Sequence, residues 1–117
     1  MKQVFLIITI VLIAFVPSMA QKDYNQKKAA EYTKEAEYYQ KKADGYRREA
    51  QYYLKKAEGH EREAAYYTKK GDASRAKTQQ QYAKNAMDKY KTQMKYAKEA
   101  DLKAADYLKR ASNSLRK

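Results

Sequence analysis

Residues 35–71 read EAEYYQKKADGYRREAQYYLKKAEGHEREAAYYTKKG, and this stretch decides the fold. Glu35-Ala36-Glu37-Tyr38-Tyr39-Gln40-Lys41-Lys42-Ala43 recurs as Glu49-Ala50-Gln51-Tyr52-Tyr53-Leu54-Lys55-Lys56-Ala57. It recurs again as Glu63-Ala64-Ala65-Tyr66-Tyr67-Thr68-Lys69-Lys70-Gly71, so the repeat is 14 residues long. Fourteen is two heptads, and each repeat therefore returns to one face of a gently supercoiled helix. With Ala36 at position a, that position holds Ala29, Ala36, Ala43, Ala50, Ala57, Ala64 and Gly71. Position d holds Tyr32, Tyr39, Tyr46, Tyr53, His60 and Tyr67. The unbroken 3–4 spacing predicts a helix that buries one Ala/Tyr stripe.

The remaining positions are sorted as well. Position f is wholly basic: Lys27, Lys34, Lys41, Arg48, Lys55, Arg62 and Lys69. Position g alternates Lys28, Glu35, Lys42, Glu49, Lys56, Glu63 and Lys70, which would match a partner shifted by one heptad. Position c alternates Tyr38, Gly45, Tyr52, Gly59 and Tyr66, and Tyr24 falls on the same stripe. A helical Gly costs ~1 kcal/mol against Ala. The two glycines are read either as gaps that a Tyr of another helix fills or as tolerated surface positions.

The heptad frame fails after Lys70. A new frame places Ala76, Ala83, Tyr90, Ala97, Ala104 and Ala111 on one seam position and Gln79, Ala86, Gln93, Ala100, Tyr107 and Ser114 on the other. Met87, Met94, Leu108 and Leu115 flank this second seam. Gly71 suits the left-handed residue after a helix C-terminus, and Asp72 or Ser74 suits the next N-cap. The expected fold is all-α, a long antiparallel helical hairpin or coiled coil with an Ala-Tyr heptad seam that self-associates. Its expected parts are a first helix over 21–70, a turn at 71–74 and a second helix over 75–117. A single long rod that bundles is the competing arrangement, and the break in frame favours the hairpin.

Residues 1–20 differ from the rest: Lys2, an apolar run from Val4 to Val16, then small Ser18 and Ala20. This is the pattern of a secretory signal peptide cleaved before Gln21, and the run is short for the ~20 residues of a membrane span. The expectation is thus a secreted, extracellular protein with no stable membrane insertion. The whole chain carries 26 Lys+Arg, 14 Asp+Glu, one His and no Cys, a net charge of +12. Removing residues 1–20 lowers the charge to +11 and takes every Val, Ile, Phe and Pro. All 13 Tyr remain. Such a composition cannot build an ordinary aliphatic core and favours helix over strand. High charge and low hydropathy also suit disorder, but a disordered chain does not need the heptad order.

Little in the sequence speaks for catalysis. With no Cys and one His there is no usual zinc ligand set, and His60 occupies a Tyr place in the repeat. No Gly-rich phosphate loop is present, and every acidic residue has Lys or Arg nearby. The chain is therefore expected to be no enzyme, with no cofactor and no metal.

Two signals remain. The f cations Lys34, Lys41, Arg48, Lys55, Arg62 and Lys69 form a candidate polyanion ridge. It would meet an acidic polysaccharide or anionic matrix protein, not intracellular nucleic acid. Tyr24, Tyr38, Tyr52 and Tyr66 are candidate cross-linking residues, because phenols oxidise to catechols or couple as dityrosine. In composition the chain resembles secreted Tyr/Lys-rich matrix and adhesive proteins, and its Ala-rich heptads are similar to those of coiled-coil silks. The resemblance implies a structural protein of an extracellular matrix, secretion, mineralised layer or adhesive. A soluble polyanion-binding protein is the alternative, and a cationic host-defence protein ranks third.

Overall fold

The computed structural model describes residues 20–116, and the signal-peptide reading of residues 1–20 falls almost wholly outside them. Two long helices fold back as a hairpin: α1 is Ala20–Lys69 and α2 is Ala73–Arg116. There is no strand among the described residues. The chain divides into two compact units: Lys42–Glu99, which contains the turn, and the described residues on either side of it.

The turn follows from three residues. Gly71 adopts a φ of 77°, a left-handed conformation that costs a side-chain-bearing residue about 1–2 kcal/mol. The Asp72 amide then donates to the Tyr67 carbonyl at 2.9 Å and the Gly71 amide to Thr68 at 3.1 Å. These two bonds are the paired closure that satisfies the last carbonyls of a helix. Asp72 also starts α2: its Oδ1 accepts the Arg75 amide at 3.1 Å, and its carbonyl accepts Ala76 at 3.1 Å. Of the two expected caps, Asp72 is the one used.

Within the turn unit, Ala43, Ala50 and Ala57 are 0% exposed and Ala64 is 5% exposed. Ala76, Ala83, Ala86 and Ala97 of α2 are buried as well. In the other unit Ala29 and Ala36 are buried on α1, and Ala100, Ala104, Leu108 and Ala111 on α2. There Ala36, Ala104 and Leu108 form a cluster with Tyr39 and Tyr107 packed against it. No large side chain is completely buried among the described residues. The centre of each unit is therefore a thread of methyl groups, which permits close approach of two backbones toward ~8 Å. Aromatic rings supply most of the remaining apolar area from the flanks.

Two threonines of α1 bond back to their own helix. Thr33 Oγ1 donates to the Ala29 carbonyl at 2.9 Å, and Thr68 Oγ1 to Ala64 at 2.8 Å. Gln40 differs: its Oε1 is buried with no hydrogen-bond partner. Such an orphan acceptor costs about 1–3 kcal/mol.

Candidate functional site: two tyrosine faces and a cationic ridge

The d residues of α1 lie half-buried along the flank of the alanine thread: Tyr32, Tyr39, Tyr46, Tyr53, His60 and Tyr67. In the turn unit each meets a ring or a cation of α2. The Tyr46 and Tyr96 rings are 5.4 Å apart, Lys89 Nζ lies 5.5 Å from the Tyr53 centroid, and His60 is 5.3 Å from Tyr82. Arg75 lies 5.7 Å from Tyr67. Each step of seven forward on α1 is thus answered by a step of seven backward on α2, alternating ring and cation. Antiparallel helices with one repeat length must pair in this way once the turn fixes the register.

His60 departs from its neighbours. Its Nδ1 lies 2.7 Å from Gln79 Oε1, and the amide oxygen fixes Nδ1 as the donor. Its imidazole is shorter than the phenol that stands at the neighbouring d positions. A groove of about 210 Å³ opens there, lined by Tyr53, Lys56, His60, Tyr82, Asn85 and Lys89, with Ala86 at its base.

In the other unit Tyr39 stacks on Tyr107 at 5.7 Å with planes 9° apart, and Tyr107 continues to Tyr32 at 6.2 Å. Lys103 lies over Tyr39 at 5.4 Å and Arg110 over Tyr107 at 5.0 Å. A cation placed over a ring face in this range contributes about 0.5–1 kcal/mol at exposed sites.

The ring-and-cation series on α2, Arg75, Tyr82, Lys89 and Tyr96 in the turn unit and Lys103 and Arg110 in the other, is not among the residues the sequence predicts to matter. A search for apolar seams passes over it, because four of its six members are charged. The signal was present all the same, as a plain spacing of seven on α2.

The c tyrosines face outward. Tyr24, Tyr38, Tyr52 and Tyr66 are 57%, 53%, 55% and 52% exposed. Three stand edge-on to the following d ring: Tyr38–Tyr39 at 5.2 Å, Tyr52–Tyr53 at 5.3 Å and Tyr66–Tyr67 at 5.3 Å. An amine one turn ahead lies over the outer ring: Lys28 over Tyr24 at 5.6 Å, Lys56 over Tyr52 and Lys70 over Tyr66 at 5.3 Å. Lys28 Nζ also donates to the Tyr24 hydroxyl at 3.4 Å, and this contact raises the Lys28 pKa above its ordinary value. The candidate ridge residues Lys34, Lys41, Arg48, Lys55, Arg62 and Lys69 are all exposed.

The reading of Gly45 and Gly59 as gaps filled by a Tyr is corrected within the chain. A Cβ on either would meet only the guanidinium tip of Arg48 or Arg62, at 3.9 Å. Position c points away from α2, so the hairpin has no ring to place there. Each glycine leaves a shallow notch beside an arginine tip on the outer face and still carries its helix cost of ~1 kcal/mol.

Among the described residues no three His, Asp or Glu gather in a way that would hold a metal ion, and no helix is long and apolar enough to cross a membrane. No protein-family model, no curated protein and no solved structure matches the chain.

Proposed function

We propose that this chain is a secreted, non-enzymatic structural protein. It self-associates as a Tyr/Lys-rich coiled coil with an Ala-Tyr heptad seam. Its place is an extracellular matrix, secretion, mineralised layer or adhesive. The observation that carries the reading is the outer tyrosine series. Four phenols at 14-residue intervals on one helix are each more than half exposed. A chain that wanted only to bury its tyrosines would put them at d, where the other set sits. Singly exposed rings are ordinary on a protein surface, but four at one heptad position and one spacing are a pattern rather than scatter.

The chemistry open to them is oxidative coupling. An oxidant such as peroxide with a peroxidase takes one electron and one proton from each of two phenols. The two ring radicals then join through a new carbon–carbon bond, and two hydrogens leave per cross-link. The lysines beside the outer rings favour this route in a second way, as amines that can add to an over-oxidised ring.

Intact mass of the protein taken from the tissue that makes it tests the reading. Added oxygen, or covalent multimers that survive denaturant and fluoresce as dityrosine, support it. A single unmodified mass, allowing for loss of residues 1–20 and cyclisation of Gln21, counts against it.

The alternative, soluble binding to an acidic polysaccharide or anionic surface, is favoured by the ridge of six exposed f cations. It requires that affinity for a heparin-like chain fall steeply with salt. Replacing Lys41, Arg48, Lys55 and Arg62 with Gln should then abolish binding and leave the helix content intact.

A further inference from the structure

The outer face of α1 in the turn unit alternates two kinds of patch. Tyr52 with Lys56, and Tyr66 with Lys70, each form a knob in which the ammonium lies 5.3 Å from the ring centroid. Gly45 with Glu49, and Gly59 with Glu63, hold the same two heptad positions in the intervening heptads. Each of these is a socket: a glycine bordered only by the guanidinium tip of Arg48 or Arg62, and an exposed carboxylate one turn further on. Knob and socket succeed each other every seven residues, about 10 Å along the helix.

We propose that this face docks a second copy of the same chain, parallel to the first and displaced by seven residues. The inference rests on the self-association in the reading above and supplies its geometry. In the displaced contact Tyr52 of one copy enters the notch at Gly59 of the other, and Lys56 meets Glu63. One shift satisfies both alternations at once, the one in bulk and the one in charge. An undisplaced parallel copy would set ring against ring and lysine against lysine. An antiparallel copy with rings over glycines would bring Lys56 and Lys70 against the wholly basic f position. Those arrangements pay like-charge repulsion, which selects against them.

The same shift explains why glycine stands where alanine is the better helix former. Within the chain only the flexible guanidinium tip of Arg48 or Arg62 comes within 3.9 Å of the place a Cβ would take, a contact that alanine tolerates, so the benefit has to come from a neighbour. Both copies use the same knob-and-socket face in this contact, so its product is a staggered pair of hairpins.

Sedimentation of the purified protein over a range of concentrations tests the proposal, with the Gly45→Ala/Gly59→Ala double variant beside it. Alanine should raise the Tm of the hairpin and weaken association at least tenfold, so the two readouts move in opposite directions. A raised Tm with unchanged association overturns the docking geometry and leaves self-association standing. Wild-type protein that stays monomeric at every concentration overturns both.

A second pair of variants reads the displacement directly, since the chain has no Cys of its own. Lys56→Cys protein mixed with Glu63→Cys protein should oxidise chiefly to the mixed disulfide. Preference for the Lys56→Cys pair with itself would contradict the shift of seven.

Discussion

Tyr38 and Tyr39 are chemically the same residue one position apart, and they do different work. Tyr39 is rotated onto the flank of the alanine thread, stacked on Tyr107 and covered by Lys103. Tyr38 stands 53% exposed and meets the Tyr39 ring edge-on. The contrast repeats at Tyr52/Tyr53 and Tyr66/Tyr67. One residue of advance on a helix turns a side chain by about 100°, which is enough to move a ring from packing to solvent. The inner face therefore holds the hairpin together, and the outer face is available to something else.

Substitutions on the two faces should separate them, and the largest effect belongs to the inner rings. Tyr39→Ala removes a stacked pair and a cation–ring contact and should cost about 2–3 kcal/mol in thermal unfolding. Tyr38→Ala should change stability by less than about 0.5 kcal/mol. Equal losses would break the distinction. Next in size, Ala57→Leu puts a branched side chain into a site with no exposure and should cost about 1–3 kcal/mol by forcing the helices apart. Exposed Ala65→Leu serves as its neutral control, and equal Tm values for the two would deny the thread.

Glycines sharpen the same comparison through the sign of the effect. Gly71→Ala meets a positive φ and should destabilise by about 1–2 kcal/mol. In monomeric protein, the Cβ of Gly59→Ala meets only the Arg62 guanidinium tip at 3.9 Å, an ordinary contact, and should stabilise by about 1 kcal/mol. Two changes of the same sign would show that the turn or the notch is misread.

The smallest effect is electrostatic. Hydrogen bonding to Tyr24 raises the Lys28 pKa, so the charged form is the one favoured in the fold. The contribution is full at neutral pH and is lost as pH climbs through the raised value. In a nitrogen-detected titration Tyr24→Phe should lower the Lys28 midpoint.

Much of the hairpin was legible before any coordinates. The a alanines, the Gly71 stop and the Asp72 cap follow from spacing and from the backbone needs of a turn. The α2 ridge was not legible by the same route. A periodicity search weighs apolar residues, and Arg75, Lys89 and Lys103 contribute through their charge over a ring. Pairing Lys89 with Tyr53 also needs the register, which is set by the turn and not by either helix alone. Gly45 and Gly59 were only half legible, because their spacing spoke of a gap and left its occupant open. The outer tyrosines were legible as unexplained by the seam, and their exposure sets them apart from the inner set.

The central claim is that the outer tyrosines are presented for reaction and the inner ones are engaged in packing. Limited oxidation of dilute protein by peroxidase and peroxide, followed by peptide mass mapping over time, tests it most directly. Tyr24, Tyr38, Tyr52 and Tyr66 should be modified well before Tyr39, Tyr53 and Tyr67. Equal rates across the adjacent pairs, or earlier loss of the inner rings, would contradict the account.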